Sequence, residues 1–441
     1  MYIRTFGCQM NVADSEMMAQ ALADDYVLTH RPEEADLLLI NTCAIRRKSE
    51  EKVRSLLGSL KALKQRRPQM ILGVGGCVAQ QEGERLLAAA PHLDLVFGTH
   101  GVYRLPELVS RAAQGQRPVD LELSRCFPAM PRRQWASSPV QALVTIMQGC
   151  DNFCAFCVVP YVRGREYSRE SGEIILEVRG FLEAGGREVT LLGQNVNSYG
   201  RGLTEPVTFP ELLRRLAALP GLARLRFATS HPRDLSPELM AAFSELAPLC
   251  EHLHLPVQSG STRILSAMRR RHTREEFLEL VDRIREAVQD IALSTDMIVG
   301  FPGETEGDFD DTLSLVSRVR FHAMFSFKYS VRPNTLASKR LPDDVPEPEK
   351  TRRLMALQNL QREIQKELYQ AAAGRVLDVL VDGRSRRRNG EVQGRTAGNT
   401  VVNLPGPMDW LGRLLPVRIV GAGPNSLRGE AVAADIHPRR P

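Results

Sequence analysis

Short apolar runs take turns with longer stretches of helical period over residues 1–115. The runs Tyr2–Phe6, Ala35–Asn41, Met70–Val74 and Leu93–Gly98 predict strands. Asp14–Ala23, Arg46–Gln65, Ala79–Ala90 and Val102–Ala113 predict helices. Strand and helix in alternation predict an α/β unit, a Rossmann-like parallel sheet covered on both faces. The pattern lapses over 116–139, which holds four prolines and predicts a linker. It resumes over 140–370. Leu143–Gln148, Glu188–Leu192, Leu225–Ala228, His252–Leu255, Ala292–Val299 and Ala323–Tyr329 predict strands, with helices between them such as Glu170–Ala184 and Arg274–Val288. Six such units fall short of a closed eight-stranded barrel and predict a partial (β/α)6 barrel. A proline-rich break at 331–348 precedes a long amphipathic helix, Pro348–Ala373. Over 371–437, the runs Arg375–Val381, Glu391–Thr396, Thr400–Asn403 and Val417–Val420 predict a small antiparallel β-barrel.

Composition changes this picture little: 43% hydrophobic and 25% charged residues are ordinary globular values. No stretch approaches the ~20 apolar residues of a membrane helix, so no membrane partner is expected. The start, MYIRTFGCQMNVAD, lacks a basic segment followed by an apolar one, which predicts a cytoplasmic address. The net charge of +6 is unevenly placed: residues 371–441 carry eleven Arg against six Asp and Glu. Arg384, Arg386, Arg387 and Arg388 share one predicted loop, a pattern that suits an RNA phosphate backbone better than a uniformly solubilising surface.

The eight cysteines carry most of the chemistry. In a reducing compartment they are not a disulfide framework. Cys150, Cys154 and Cys157 lie in one loop after the first barrel strand, spaced Cys-x3-Cys-x2-Cys. Three thiolates there suit three irons of a cubane 4Fe–4S cluster, leaving the fourth iron open to a small ligand. A zinc ribbon would need a fourth ligand nearby, and none is present. Cys8, Cys43 and Cys77 each close a predicted strand of one parallel sheet. Strand C-termini share an edge, where open α/β sheets keep their ligands, so these three are expected to converge on a second such cluster. The alternative is three strand-end core cysteines. Cys126 and Cys250 have no partners in register and read as free structural thiols.

The Cys-x3-Cys-x2-Cys loop resembles the radical S-adenosylmethionine (SAM) superfamily. TFGCQMN, NTCAIR and GGC resemble the N-terminal domain of its methylthiotransferases, and GRTAGNTVVNL and SLRGE resemble the RNA-binding TRAM domain. With GCDNFCAFCVVPYVRGREYSR, the whole chain is similar to the branch that methylthiolates N6-isopentenyladenosine at position 37, beside the tRNA anticodon. The resemblance implies two 4Fe–4S clusters, on Cys8, Cys43 and Cys77 and on Cys150, Cys154 and Cys157. It implies SAM on the open core iron with Phe156 near its adenine, a 5′-deoxyadenosyl radical acting at C2 of the substrate, and a second SAM methylating the cluster-borne sulfur. The implied partners are the tRNA anticodon loop, an electron donor of flavodoxin or ferredoxin type and iron–sulfur carrier proteins, with the enzyme a monomer.

Polar loops follow the second to fifth barrel strands, where barrel enzymes keep their sites. Gly193, Gln194, Asn195, Ser230 and Gln258 are the candidate cofactor ligands from them, although each loop is also what a βα turn requires. His231 reads as a structural hydrogen-bonder and Trp410 as core. Arg163, Arg165 and Arg169 read either as contacts to phosphate or to the SAM carboxylate, or as a solvated charge run. Rival readings are a methylthiotransferase for threonylcarbamoyl-adenosine tRNA or for a ribosomal protein, and an RNA-binding iron–sulfur redox sensor. Two open irons are superfluous for sensing.

Overall fold

The computed structural model describes residues 1–44, 47–124, 127, 133, 135, 139–385 and 388–432. β1 (Tyr2–Thr5), β2 (Leu37–Thr42), β3 (Ile71–Gly76), β4 (Leu95–Phe97) and β5 (Val119–Asp120) form one parallel sheet in chain order. Because side chains alternate along β2, Leu38 and Ile40 pack under α2 (Arg47–Arg66). Leu37 and Leu39 pack on the opposite face, under α1 (Gln9–Ala21) and the later helix Leu105–Ala113. The expected helix Ala79–Ala90 is two, α3 (Cys77–Glu82) and α4 (Glu84–Ala89), interrupted at Gly83. The closing helix α5 spans Leu105–Ala113.

β5 lies inside the stretch 116–139 that the prolines marked as linker. Pro118 cannot donate to a ladder, but its carbonyl accepts from Val96 N at 3.0 Å, and an edge position tolerates it. Arg104 then fixes β5 through a bidentate pair to Asp120, at 2.6 and 2.8 Å.

The central unit contains β6 (Gln141–Thr145), β7 (Met147–Gln148), β8 (Tyr167–Ser168), β9 (Glu188–Leu192), β10 (Arg224–Phe227), β11 (His252–His254), β12 (Ala292–Val299) and β13 (Ala323–Lys328). β6, β9 and β10 pair in parallel, as do β11, β12 and β13. A bridge between Leu225 and Leu249 and a bond from Ser230 N to His254 O (3.3 Å) join the two sets. The result is a six-stranded partial barrel, open between β6 and β13 among the described residues. Its outer layer comprises the helices Ser171–Glu183, Phe209–Ala217, Pro237–Glu245, Thr262–Ala267, Arg274–Ala287, Glu306–Val319 and, beyond a short helix at Leu336–Arg340, the long helix Glu347–Ala371. Thr208, Ser236, Ser261, Thr273 and Thr305 cap five of these helices. One large apolar core lies between strands and helices. The expected first strand, Leu143–Gln148, divides: Met147 and Gln148 leave the sheet and pair antiparallel with Ser168 and Tyr167.

β14 (Val376–Arg384), β15 (Glu391–Arg395), β16 (Val401–Pro405), β17 (Leu414–Ala422) and β18 (Leu427–Ala431) close into a barrel in the order 14-15-16-18-17. Four of its five pairings are antiparallel and β16–β18 is parallel. Trp410 packs in its core, as its sequence context suggests. This barrel sits under the N-terminal ends of the central strands. Arg224 opens β10 and donates to the carbonyls of Arg395 and Asp378. Arg226 donates to the carbonyls of Ala397 (2.6 Å) and Thr396 (2.7 Å) and meets Glu188 at 3.2 Å. Gln141, first in β6, bonds Asp382 at 3.3 Å. No helix among the described residues is long and apolar enough to cross a membrane.

Candidate metal centres and the barrel mouth

The parallel register opposes Thr5 to Asn41 and Thr42 to Gly76, so β1, β2 and β3 end together at one edge. Cys8, Cys43 and Cys77 are the residues that leave that edge, on strands ~4.8 Å apart. A buried amide network holds the three loops. Asn11 Nδ2 donates to Asn41 Oδ1 (3.0 Å) and Thr42 O (2.8 Å), and Asn41 Nδ2 returns to Asn11 O (2.8 Å). Thr42 Oγ1 donates to Gly75 O at 2.6 Å and accepts from Val78 N at 3.1 Å. Gly7 has φ 123°, and a Cβ there would lie 2.6 Å from Cys43 Cβ, so only glycine lets the Cys8 and Cys43 loops close. Cys43 and Cys77 are buried, whereas Cys8 is exposed. Burial pushes the Cys77 thiol up, opposed by the Arg163 guanidinium, with Cys8 adding to the rise.

The second trio lies in the loop bracketed by β7 and β8. Gln194 Oε1 accepts from Gly149 N at 2.6 Å, so this candidate ligand also anchors the start of the loop. Gly149, at φ 75°, runs against the carbonyl of Arg165, with no room for a Cβ. Ala155 N bonds Met268 O (2.9 Å), and Ala337 N bonds Ala155 O (2.8 Å), clasping the loop from two other elements. Burial pushes Cys150 up to about 11, with Cys154 adding to the rise. Burial and then both neighbouring cysteines push Cys157 higher still. Arg270 Nη1 donates to Cys154 Sγ at 3.4 Å, and its Nη2 donates to Pro256 O.

Thiols that raise one another's pKa in a buried loop, one already carrying a guanidinium bond, fit a positively charged soft group that takes them as thiolates. No three Cys, His or acidic groups among the described residues surround a single-ion position. A cubane cluster gives each thiolate its own iron, so it suits both trios where a mononuclear zinc does not.

Around the mouth, Phe156 packs with Ala155, Ile264, Met268 and Phe301. Gly193 abuts Met147. Asn195 uses both ends of its amide inside the protein: Nδ2 donates to Asp234 at 2.7 Å and Oδ1 accepts from His231 N at 3.0 Å. The Ser230 hydroxyl is buried without a partner among the described residues. Its neighbour Thr229 (φ 69°) and Gln258 (φ 81°) hold left-handed backbone, which costs about 1–3 kcal/mol each and clusters at functional sites. Phe153 (φ 48°), inside the cysteine loop, and Arg269 and Arg271 (φ 58° and 57°), on either side of Arg270, hold left-handed backbone as well. His231 Nδ1 accepts from Arg233 N at 3.3 Å, the structural role expected of it.

The three arginines after the cysteine loop separate. Arg163 is buried against Asp14 at 2.6 Å, and Arg169 pairs with Glu177, so neither is free for phosphate or for the SAM carboxylate. Arg165 remains exposed, 2.7 Å from Asp151. In the C-terminal barrel, Arg384 lines a cavity of about 380 Å³ with Asn389, Gly390, Glu391 and Met408. Arg388 is exposed, 3.6 Å from Glu391. Arg386 and Arg387 lie outside the described residues, as does Cys126. Cys250 is buried beside the Pro248 carbonyl.

Asn11, Asn41, Asp14 and Arg270 escape sequence reasoning because nothing local marks them. A signal existed for the polar lumen: His252 and His254 stand two apart in a short strand. Ser294 Oγ links their rings, at 3.3 and 3.0 Å, and His254 Nε2 lies 3.6 Å from Asp296.

Burial holds several imidazoles neutral: His100 and His272 are pushed down to about 4, His252 to about 3 and His231 to about 2. Their ordinary value is 6.5, so as pH falls below it the unfolded chain binds protons that the folded chain refuses. Stability is full above that pH and is lost in acid. The thermal midpoint is expected to drop between about pH 7 and about pH 5, and a flat midpoint across that range would contradict the burial of these rings.

The N-terminal unit, residues 1–98, matches the model described as Uncharacterized protein family UPF0004. Residues 144–316 match the Radical SAM superfamily, and residues 370–432 match the TRAM domain. The chain is similar in fold to a radical S-adenosylmethionine methyltransferase, TsrM, from Kitasatospora setae (14% identity, TM-score 0.57, covering 76% of this chain and 73% of that one). It is likewise similar to the cobalamin-dependent radical enzyme OxsB (13%, TM-score 0.52, covering 83% and 56%). Among curated relatives, a tRNA-2-methylthio-N(6)-dimethylallyladenosine synthase of Acidithiobacillus ferrooxidans is 52% identical, covering 98% of this chain and 97% of its own. Its counterpart in Geobacter metallireducens is 51% identical, covering 98% of each. With identity of this degree over 98% of the chain, a span that takes in all three units, the chain belongs to the family of tRNA-2-methylthio-N(6)-dimethylallyladenosine synthases.

Proposed function

We propose that the protein converts N6-isopentenyladenosine at position 37 of tRNA into its 2-methylthio derivative, with 4Fe–4S clusters on Cys8, Cys43 and Cys77 and on Cys150, Cys154 and Cys157, and with SAM. The observation that carries this reading is the arrangement of two three-cysteine sites on facing loops of two docked units. α1, which starts at Cys8, lays Met10 and Ala13 on Leu192, with Leu143 and Ala228 beside them. When bound, the clusters and SAM supply the radical and the sulfur that an unactivated aromatic C–H requires. The chain supplies position and dryness. Gln194 fixes the start of the core cysteine loop, and Arg270 holds Cys154. Phe156, Gly193, Ser230 and Gln258 would line the site for SAM, and Asn195 ties the second and third loops to each other. An electron donor of flavodoxin or ferredoxin type and iron–sulfur carrier proteins serve the clusters, and the cytoplasm is the site of action.

Mass analysis of tRNA nucleosides from a deletion strain tests the reading. The 2-methylthio nucleoside should vanish and isopentenyladenosine should accumulate; an unchanged nucleoside profile would overturn it.

Arg384, Arg386, Arg387 and Arg388 are proposed to meet tRNA phosphates. Changing all four to Ala should weaken tRNA binding while leaving the iron content intact. If each meets one phosphate, the log–log salt slope should flatten by up to ~3–4 units. An unchanged slope would place the RNA contacts elsewhere.

A further inference from the structure

Arg163 comes from the core unit, six residues beyond Cys157, yet its side chain ends in the N-terminal unit. Nη2 donates to Asp14 Oδ2 on α1 at 2.6 Å, and both side chains are almost fully buried, at 4% and 2% exposure. The guanidinium opposes the burial-driven rise of the Cys77 thiol and feels the charge of Cys8. Val158 and Val162, on the same short helical turn, pack on Cys77, Ala44 and Val78, and Thr99 Oγ1 holds Val162 O at 2.6 Å. The guanidinium is therefore not free to swing away. Its Nη1 has no hydrogen-bond partner among the described residues, and Asp14 Oδ1 has none either. A buried N–H without an acceptor is costly, and a thiol is a poor acceptor. A thiolate or sulfide on a cluster is a charged one.

We infer that Arg163 is a positioning residue for the N-terminal cluster, donating Nη1–H to sulfur at the Cys77 corner, with Asp14 holding the guanidinium in place. This rests on the reading of Cys8, Cys43 and Cys77 as a cluster site. Hydrogen bonds to sulfur and nearby positive charge both stabilise the reduced cluster, so Arg163 raises its reduction potential, and Asp14 moderates that rise.

The test uses the full chain carrying Cys150, Cys154 and Cys157→Ala, so that only the N-terminal cluster is titrated. Iron is counted, and the midpoint is read by electron paramagnetic resonance during reductive titration. Arg163→Gln should keep the iron and shift the midpoint to lower potential. Arg163→Lys, which keeps the charge but loses the planar fork, should recover part of that shift. Asp14→Asn should shift the midpoint the other way. A general loosening of the interface would not produce shifts of opposite sign. Unshifted midpoints with full iron would overturn the inference alone. Should Arg163→Gln shed its iron, Asp14→Asn decides, and an unshifted midpoint there overturns it. Absence of iron in the parent would overturn the cluster reading and this inference with it.

Discussion

Changing Cys8, Cys43 and Cys77 to Ala should leave about half of the iron, retain some cleavage of SAM to 5′-deoxyadenosine and abolish methylthiolation. Changing Cys150, Cys154 and Cys157 should also leave about half of the iron but abolish SAM cleavage outright. The asymmetry follows from where the thiols are anchored. The first trio hangs on the Asn11–Asn41–Thr42 network of the N-terminal sheet. The second is pinned by Gln194, Met268 and Ala337 of the core. The two sets of anchors have no residue in common, so each site should load without the other. Iron analysis with quantitation of 5′-deoxyadenosine on both variants decides this, and equal loss of cleavage would remove the division of labour.

Substrate choice should be nearly as sensitive. The isopentenyl group is apolar and must be desolvated at the site. The half-buried Leu143 and Ala228, beside Met10, Ala13 and Leu192, offer an apolar wall next to Cys8 and the polar loops. Omitting the group forfeits roughly 0.8 kcal/mol per unburied carbon, about 3–4 kcal/mol for five carbons at most. That converts to a loss of about two to three orders of magnitude in kcat/KM on tRNA with unmodified adenosine. A threonylcarbamoyl group should be rejected more strongly, since its carboxylate would lose hydration without a partner. Reconstituted enzyme assayed on the three tRNAs, with methylthio product counted by mass, tests both statements. Equal turnover on unmodified and isopentenylated tRNA would contradict the wall, and preference for the threonylcarbamoyl substrate would favour the rival branch.

Much of this was legible from the chain because the signals are local. Apolar runs such as LLLIN marked the central strands, and a cysteine after each strand marked the sheet edge. What stayed hidden depends on partners distant in sequence. β5 is a two-residue strand after a proline, visible only through β4 and Arg104. β18 is LRGEA, too short and too charged to read as a strand until β17 pairs with it. Arg224 and Arg226 look like a solvated strand face, yet they act as hydrogen-bonding posts between two units. Arg163 reads in the sequence as a phosphate or carboxylate ligand or as part of a solvated charge run, because its aspartate lies 149 residues away.

The small barrel's position has a consequence for the size of RNA that can react. Its contacts fall at Gln141 and Arg224, where central strands begin, whereas the cysteines gather where strands end. The strands that carry those contacts, β6 and β10, run five and four residues, a depth of roughly 13–16 Å at about 3.3 Å per residue. An RNA gripped below must run the full height of the core before its adenine reaches the mouth. The core thickness is thus a ruler: a stem-loop can hold both ends of it at once, and a trinucleotide can hold only one.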